Sequence, residues 1–255
     1  MKHFVITTMY GGLLVLLSLG TVSAGSFNID EVLATKLSAC KAAPTGTPLK
    51  IGYAADFSDL GGFADKPASQ AALYFVELVN CAGGVDGSPI KLIIKNIEGN
   101  PEVTQRVGHE LMAAGVSAML GPPFPDFGEP LLQVTAGKVA TLFVASTEPM
   151  LANSKALSYL VAFDDTAQAT AAAKFALQQG WRTAVTFSAP GPYFGYNPKI
   201  FSKVFKAGGG SITADYNFVP IDDMDFSTQA NKMASAGKAP DVVYSAMLSF
   251  QSAVL

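Results

Sequence analysis

The chain is poor in the residues that carry covalent and metal chemistry. Its 255 residues include two histidines, two cysteines and one tryptophan, and charged residues make up 15% of it. It has no G-x-S-x-G serine motif, no P-loop and no G-x-G-x-x-G dinucleotide fingerprint, and no histidine has metal-ligand spacing. We therefore predict a protein that is not an enzyme and that uses no cofactor and no metal.

The sequence also lacks a cluster of lysine and arginine residues, and its formal net charge is −3. Nucleic-acid binding needs a concentrated basic surface that neutralises phosphates. We therefore expect no nucleic acid among the partners of this protein.

A third absence is that of an apolar run long enough to cross a bilayer, which takes about 20 residues. The apolar run at residues 11–22 is shorter, follows Lys2, and precedes small residues that suit cleavage after Ala24. These features are typical of a secretory signal peptide, which we place at residues 1–24. An uncleaved anchor is the alternative interpretation.

Export would allow the two cysteines to form a disulfide, because disulfides form in oxidising compartments. Cys40 lies in an N-terminal arm, residues 25–47, in which apolar residues from Ile29 to Leu37 indicate a small helix. Cys81 ends the first main helix. We expect a disulfide between Cys40 and Cys81; two separately buried thiols are the alternative.

From residue 48 onward, buried strands alternate with amphipathic helices, which predicts an α/β fold with parallel sheets and right-handed crossovers. The alternation pauses once, and we interpret residues 159–163 as a crossover between a first lobe, 48–158, and a second lobe, 159–255. The expected strands are 50–54, 90–96, 118–121, 141–145, 183–187, 211–218 and 241–245. The expected helices are 67–80, 101–114, 127–137, 166–179, 193–207 and 226–236.

The junction at residues 80–92, NCAGGVDGSPIKL, is the most characteristic stretch of the sequence. A helix ends there, Gly83 and Gly84 supply backbone conformations without a Cβ penalty, and a buried strand begins at Ile90. This sequence pattern resembles the first helix–strand junction of type 1 periplasmic ligand-binding proteins. That group includes the substrate-binding proteins of branched-chain amino acid (leucine/isoleucine/valine) ABC transporters. The spacing alone fits any α/β sheet.

The resemblance implies two Rossmann-like lobes that close on a ligand. In the related proteins the second lobe continues for roughly a hundred further residues, so we expect an incomplete second lobe here and a sequence truncated at its C-terminal end. The expected function is that of an exported, monomeric, periplasmic solute-binding protein that delivers a small polar or amino-acid-like ligand to an ABC permease. A ligand-sensing receptor ectodomain of the same fold, and a secreted α/β enzyme, are the alternatives.

Ligands of open α/β sheets bind outside the carboxyl ends of the strands. In the loop after the first strand, the resemblance implies that Phe63 packs on the ligand, with Ser58 as a candidate donor. The loop after the third strand departs from the related proteins, because Pro125 stands where they have a carboxylate-binding serine. Phe124 adds apolar surface there, and Asp126 either accepts from a cationic or amide-bearing ligand or caps the next helix.

The loop after the fourth strand resembles the A-x-T segment of the related proteins. That resemblance implies ligand contacts from Ala145, Ser146 and Thr147, with Thr147 as a loop hydroxyl as the alternative. In the second lobe, Tyr193 and Phe194 compete for the position of the tyrosine that closes over the ligand.

Overall fold

The computed structural model of the protein describes residues 27–216, 224–235 and 239–255. The signal peptide expected at residues 1–24 lies outside the described residues. Two parallel sheets carry the structure. The first has five strands in the order β2-β1-β3-β4-β5 and the second has three in the order β7-β6-β8. The predicted α/β architecture with parallel sheets is thereby confirmed.

The strands are β1 (Leu49–Ala55), β2 (Ile90–Asn96), β3 (Ala118–Gly121), β4 (Ala140–Phe143), β5 (Ser158–Leu160), β6 (Thr183–Ser188), β7 (Ser211–Tyr216) and β8 (Val242–Ala246). The helices are α1 (Ile29–Leu33), α2 (Gly62–Cys81), α3 (Pro101–Ala113), α4 (Pro125–Thr135), α5 (Asp165–Gln178), α6 (Pro192–Ala207), α7 (Ser227–Ser235) and α8 (Ser249–Val254). Residues 217–218 of one predicted strand and residue 236 of one predicted helix lie outside the described residues.

Two element boundaries differ from the sequence prediction in a way that affects the site. Helix α2 begins at Gly62, five residues before the predicted start, and Pro67 lies inside it. The extended segment predicted around residue 159 is strand β5, which pairs with β4 through Thr141 opposite Ser158 and Phe143 opposite Leu160. The first sheet therefore reaches Leu160, two residues beyond the expected boundary between the lobes, because its edge strand is supplied by the crossover itself.

The double-glycine junction has the predicted backbone. Gly83 and Gly84 have φ values of 108° and 77°, in a backbone region that residues other than glycine rarely adopt. The Asn80 side chain accepts from the Ile90 N–H at 2.7 Å and donates to the Ile90 carbonyl at 2.9 Å. One amide thereby joins the end of α2 to the first residue of β2 and fixes the register of the turn.

The N-terminal arm is fastened to this junction. Cys40 and Cys81 form a disulfide, which confirms the predicted pairing. Beside it, the Lys41 N–H donates to the Cys81 carbonyl at 2.9 Å, and the Leu49 N–H donates to the Pro89 carbonyl at 2.8 Å. The short helix expected in the arm is α1.

Each sheet is covered by helices that bury apolar faces. In the first lobe, α3 and α4 pack on β1 and β3 through Leu111, Leu131 and Met119, all fully buried. In the second lobe, Phe201 and Phe205 of α6 pack against the small residues of α5. The first-lobe loops that the sequence singles out follow the carboxyl ends of β1, β3 and β4.

Candidate functional site

The candidate site is the region between the carboxyl ends of the two sheets. A cavity of about 590 Å³ lies there, lined from the first lobe by the loop between β1 and α2 and from the second lobe by the start of α8. The volume is typical of a small-molecule site. Its lining residues are Asp59, Leu60, Phe63, Leu248, Ser249 and Phe250.

The loop between β1 and α2 is held by a buried carboxylate. Asp65, 1% exposed in the first turn of α2, accepts from the Tyr53 hydroxyl and from the Asp56 N–H, both at 2.7 Å. Burial raises the pKa of Asp65 above its ordinary value, although these two hydrogen bonds oppose that rise. Burial and the Asp65 hydrogen bond likewise raise the pKa of Tyr53. The network fixes the two ends of the loop that precedes Phe63.

A second carboxylate fills the inside of this loop. Asp56 is fully buried, and its Oδ1 accepts from the Ser58 N–H at 2.9 Å. Its Oδ2 has no hydrogen-bond partner in the part of the chain that the structure describes. A Cβ built on Gly61 meets that oxygen at 2.2 Å, so only glycine allows this approach of backbone and carboxylate.

The two residues predicted in this loop have different surroundings. The Ser58 hydroxyl oxygen accepts from the Leu60 N–H at 3.2 Å, so it already takes part in the turn of the loop. The Phe63 side chain is 68% exposed and lines the cavity. The role of Phe63 as a ligand contact stays a prediction.

The loop between β3 and α4 supplies the support for Phe63. The ring of Phe124 is buried and lies 6.4 Å from the ring of Phe63, tilted by 53°. Phe124 also occupies the N-cap of α4, without a side-chain cap bond. Asp126 is exposed in the first turn of that helix, so the alternative in which Asp126 caps α4 is wrong; the helix begins at Pro125, two residues earlier than a cap at Asp126 requires.

The loop after β4 contains the predicted A-x-T segment. Ala145 is exposed, whereas Ser146 is fully buried and its Oγ has no hydrogen-bond partner among the described residues. The Thr147 hydroxyl donates to Asp165 Oδ1 at 2.6 Å, and the Asp165 N–H donates back to the Thr147 carbonyl at 2.9 Å. The hydroxyl that the resemblance assigns to a ligand thus already binds the start of α5.

Glu148 follows directly and is 3% exposed. It accepts from the Met150 N–H at 3.2 Å. Burial raises its pKa, and the charges of Asp165, Glu129 and Asp164 raise it further, while the Met150 hydrogen bond opposes them. The loop after β4 and the start of α5 therefore form an acidic region at the edge of the cleft.

The second lobe contributes a smaller cavity of about 180 Å³ at the carboxyl end of β8. Phe194 is 7% exposed and lines it, together with the side chains or backbone of Gln168, Asn197, Tyr244, Ser245, Ala246 and Met247. The side chain of Tyr193 lies outside the described residues, so the choice between Tyr193 and Phe194 stays a prediction.

Sequence reasoning missed the acids that build these loops. Asp56, Asp65 and Asp165 are buried polar residues whose role depends on contacts nine or eighteen residues away, which no periodicity reveals. Their one sequence signal is position, since each lies directly after a strand or in the first turn of a helix. In the described part of the chain, no group of three metal-ligating side chains occurs and no helix is long and apolar enough to cross a membrane.

Comparison with known proteins decides the family. The family model described as "Periplasmic binding protein" matches residues 48–254, most of the chain. The chain belongs to the periplasmic binding protein family. The resemblance at the double-glycine junction is thereby confirmed. No curated protein sequence matches this periplasmic binding protein at a significant level.

Solved structures agree with the fold of this periplasmic binding protein. LivJ, the branched-chain amino acid transporter substrate-binding protein of Streptococcus pneumoniae, solved with isoleucine, is 23% identical with a TM-score of 0.67, over 78% of this chain and 57% of that chain. A solute-binding protein of an ABC transporter from Rhodopseudomonas palustris BisB5, solved with 3,4-dihydroxybenzoic acid, is 20% identical with a TM-score of 0.66, over 80% and 55%. Another from R. palustris, solved with benzoate, is 18% identical with a TM-score of 0.65, over 78% and 55%. The chain thus spans little more than half the length of the proteins it resembles.

Proposed function

We propose that the protein is an exported solute-binding protein that captures a small ligand between its two lobes and passes it to an ABC permease in the inner membrane. In this proposal it acts as a monomer in the periplasm, without catalysis, after cleavage of the signal peptide. The observation that carries the proposal is the cavity of about 590 Å³ that residues following β1 in the first lobe and β8 in the second lobe line together.

The proposed ligand contacts divide into an apolar and a polar group. Phe63, supported by Phe124, supplies the apolar surface in the first lobe, and Phe194 or Tyr193 supplies it in the second. Ala145, Ser146 and Thr147 are the proposed polar contacts, and Ser58 and Asp126 are proposed as further ones. The relatives solved with isoleucine and benzoate bind small molecules with an apolar body, and the lining of this cavity suits the same size class.

Closure is proposed to occur about the segment between β5 and α5. That segment, residues 161–164, leads from the first sheet to the second lobe. Thr147 binds Asp165, the first residue of α5, directly after the segment. Hinges are segments of this kind, a few residues at the ends of elements that absorb the backbone change.

Ligand screening tests this function. Thermal-shift and calorimetric titration with amino acids, amides, aromatic acids and amines is expected to give at least one ligand that raises the melting temperature, because it binds the folded state. Phe63→Ala is expected to weaken that ligand at least tenfold. Tyr74→Ala is the matched control, since Tyr74 is a similarly exposed aromatic on the same helix that does not line the cavity.

If no compound in the panel raised the melting temperature or gave a binding isotherm, the proposed solute-binding function would be wrong. Equal effects of Phe63→Ala and Tyr74→Ala on ligand affinity would show that the ligand does not bind in this cavity.

A further inference from the structure

Resting on the proposed solute-binding function, we propose that the cavity between the lobes takes a small organic cation with an apolar or aromatic body, and that it rejects carboxylates. Three features of the described residues favour such a cation: the cavity lining, the occupied helix N-termini and the buried oxygens without donors.

The cavity lining combines apolar surface with one carboxylate. Leu60, Phe63, Leu248 and Phe250 form its apolar part, and Asp59 is the one charged residue among the described residues that line it. Aromatic faces attract cations through the negative charge of the ring face, and a nearby carboxylate adds a favourable charge. Within the described ranges, neither this cavity nor the smaller one beside β8 has a lysine or arginine in its lining.

The places where an anion would bind are already occupied by the protein's own carboxylates. In α/β proteins, anions bind at helix N-termini, where free N–H groups and the helix dipole favour negative charge. At the start of α2, Asp56 lies against Gly61 and Asp65 occupies the first turn. A ligand carboxylate at this helix would meet two like charges.

The two helices that follow the β3 and β4 loops show the same arrangement. Helix α4 has Pro125 at its first position, which has no N–H to offer, and Asp126 next to it. Helix α5 has Asp164 as its N-cap, accepting from the Ala167 N–H at 2.7 Å, and the buried Asp165 behind it. An anionic ligand group would therefore be repelled at each of the three helix starts.

Buried oxygens at these loops lack hydrogen-bond donors. Asp56 Oδ2, Ser146 Oγ and Asp165 Oδ2 are buried without a partner among the described residues. Two of the three atoms belong to carboxylates and accept only, and unpaired buried groups of this kind are costly. These three residues are not among those that line the cavity, so they act on a ligand only through their charge, and the two carboxylates favour a cation there over an anion.

One cation lies close to the α2 loop. The Lys66 amine folds back over Gly62, since a Cβ built there meets Lys66 Nζ at 3.1 Å. Lys66 is absent from the cavity lining, and the acids around the cleft outnumber it.

Charge-matched probes test the proposal. Isothermal titration of the protein would compare benzyltrimethylammonium and phenethylamine with neutral benzyl alcohol and anionic phenylacetate, which share a phenyl body. We expect a dissociation constant at least tenfold lower for a cation than for benzyl alcohol, and no measurable binding of phenylacetate. We expect Asp59→Asn to weaken the cation severalfold, and Glu77→Gln, an exposed acid on α2 outside the cavity, to leave it unchanged.

The outcomes separate this proposal from the function on which it rests. Binding of phenylacetate or isoleucine in preference to the cations would overturn the cation inference and leave the solute-binding function standing. A cation affinity equally insensitive to Asp59→Asn and Glu77→Gln would overturn the assignment of the cation to this cavity. Failure of every probe and of a wide solute panel would remove the solute-binding function as well.

Discussion

Thr147 and Asp165 bind each other twice, through their side chains at 2.6 Å and through their backbones at 2.9 Å. The two residues are eighteen positions apart, and strand β5 lies between them in the sequence. The pair therefore closes the segment that leaves the first sheet and fixes where helix α5 begins. Thr147, which the resemblance assigns to the ligand, holds the start of α5 against the loop that follows β4.

Removing the Thr147 hydroxyl is expected to lower stability. Thr147→Ala leaves both oxygens of the buried Asp165 carboxylate without a donor among the described residues, which costs about 1–3 kcal/mol. Thr147→Ser keeps the hydroxyl and is the control. Urea unfolding followed by circular dichroism measures the difference; an alanine variant as stable as the serine variant would contradict the role of this bond.

The Tyr53–Asp65 hydrogen bond is expected to make stability depend on pH. The folded-state pKa of Asp65 is raised by burial, so its contribution is fully present below the ordinary aspartate pKa and is lost as pH rises through the folded value. Tyr53→Phe removes a donor that favours the ionised form and raises that pKa further. We expect the variant to lose about 1–3 kcal/mol near pH 7 and less near pH 4.

Unfolding free energies at a series of pH values measure this effect. Tyr74→Phe, at an exposed position on α2, is the control and is expected to show no pH-dependent loss. A Tyr53→Phe cost that is the same at both pH values would show that Asp65 does not change its ionisation in this range.

The disulfide is expected to contribute strongly to stability. Cys40 and Cys81 are 41 positions apart, and a cross-link that closes a loop of this length contributes about 4 kcal/mol by the chain-entropy relation. The double variant Cys40→Ser/Cys81→Ser should unfold at correspondingly lower urea concentration. Thiol labelling of the denatured, unreduced protein should find no free cysteine; two reactive thiols would contradict the bond.

Two glycines are expected to respond oppositely to replacement by alanine. Gly61→Ala places a methyl group 2.2 Å from the buried Asp56 carboxylate, and overpacking of this kind costs about 1–3 kcal/mol. Gly195→Ala, inside α6 with no described atom within 4 Å of the new methyl group, is expected to be neutral or to stabilise by up to about 1 kcal/mol. Thermal unfolding of the two variants side by side tests the contrast, and equal effects would contradict it.

Much of the fold follows from local sequence patterns. The order of strands and helices rests on periodicity, the double-glycine turn on glycine at defined positions, and the cysteine pair on the expected export; the structure has all three. The sequence pattern places the start of α2 too late because Pro67 resembles a first-turn proline. The helix extends back to Gly62 because Asp65 binds the Asp56 N–H and anchors an extra turn.

The candidate site is less accessible to sequence reasoning. The resemblance to the periplasmic binding proteins, and no pattern within the chain itself, singles out Phe63, which lines the cavity. The partner of Thr147 cannot be placed from the sequence, because Asp165 is eighteen positions away and the contact spans strand β5. The burial of Ser146 and Glu148 likewise depends on packing between segments that are distant in the sequence.

The disulfide also determines how the first lobe responds to mechanical force. Residues 40–81, which contain β1 and all of α2, form the covalent loop. A pull on the N-terminus passes from Cys40 to Cys81 directly, so this segment is bypassed and does not lengthen while the bond is intact. At about 3.6 Å per extended residue, the 41-residue separation hides roughly 150 Å of contour length until a reductant releases it.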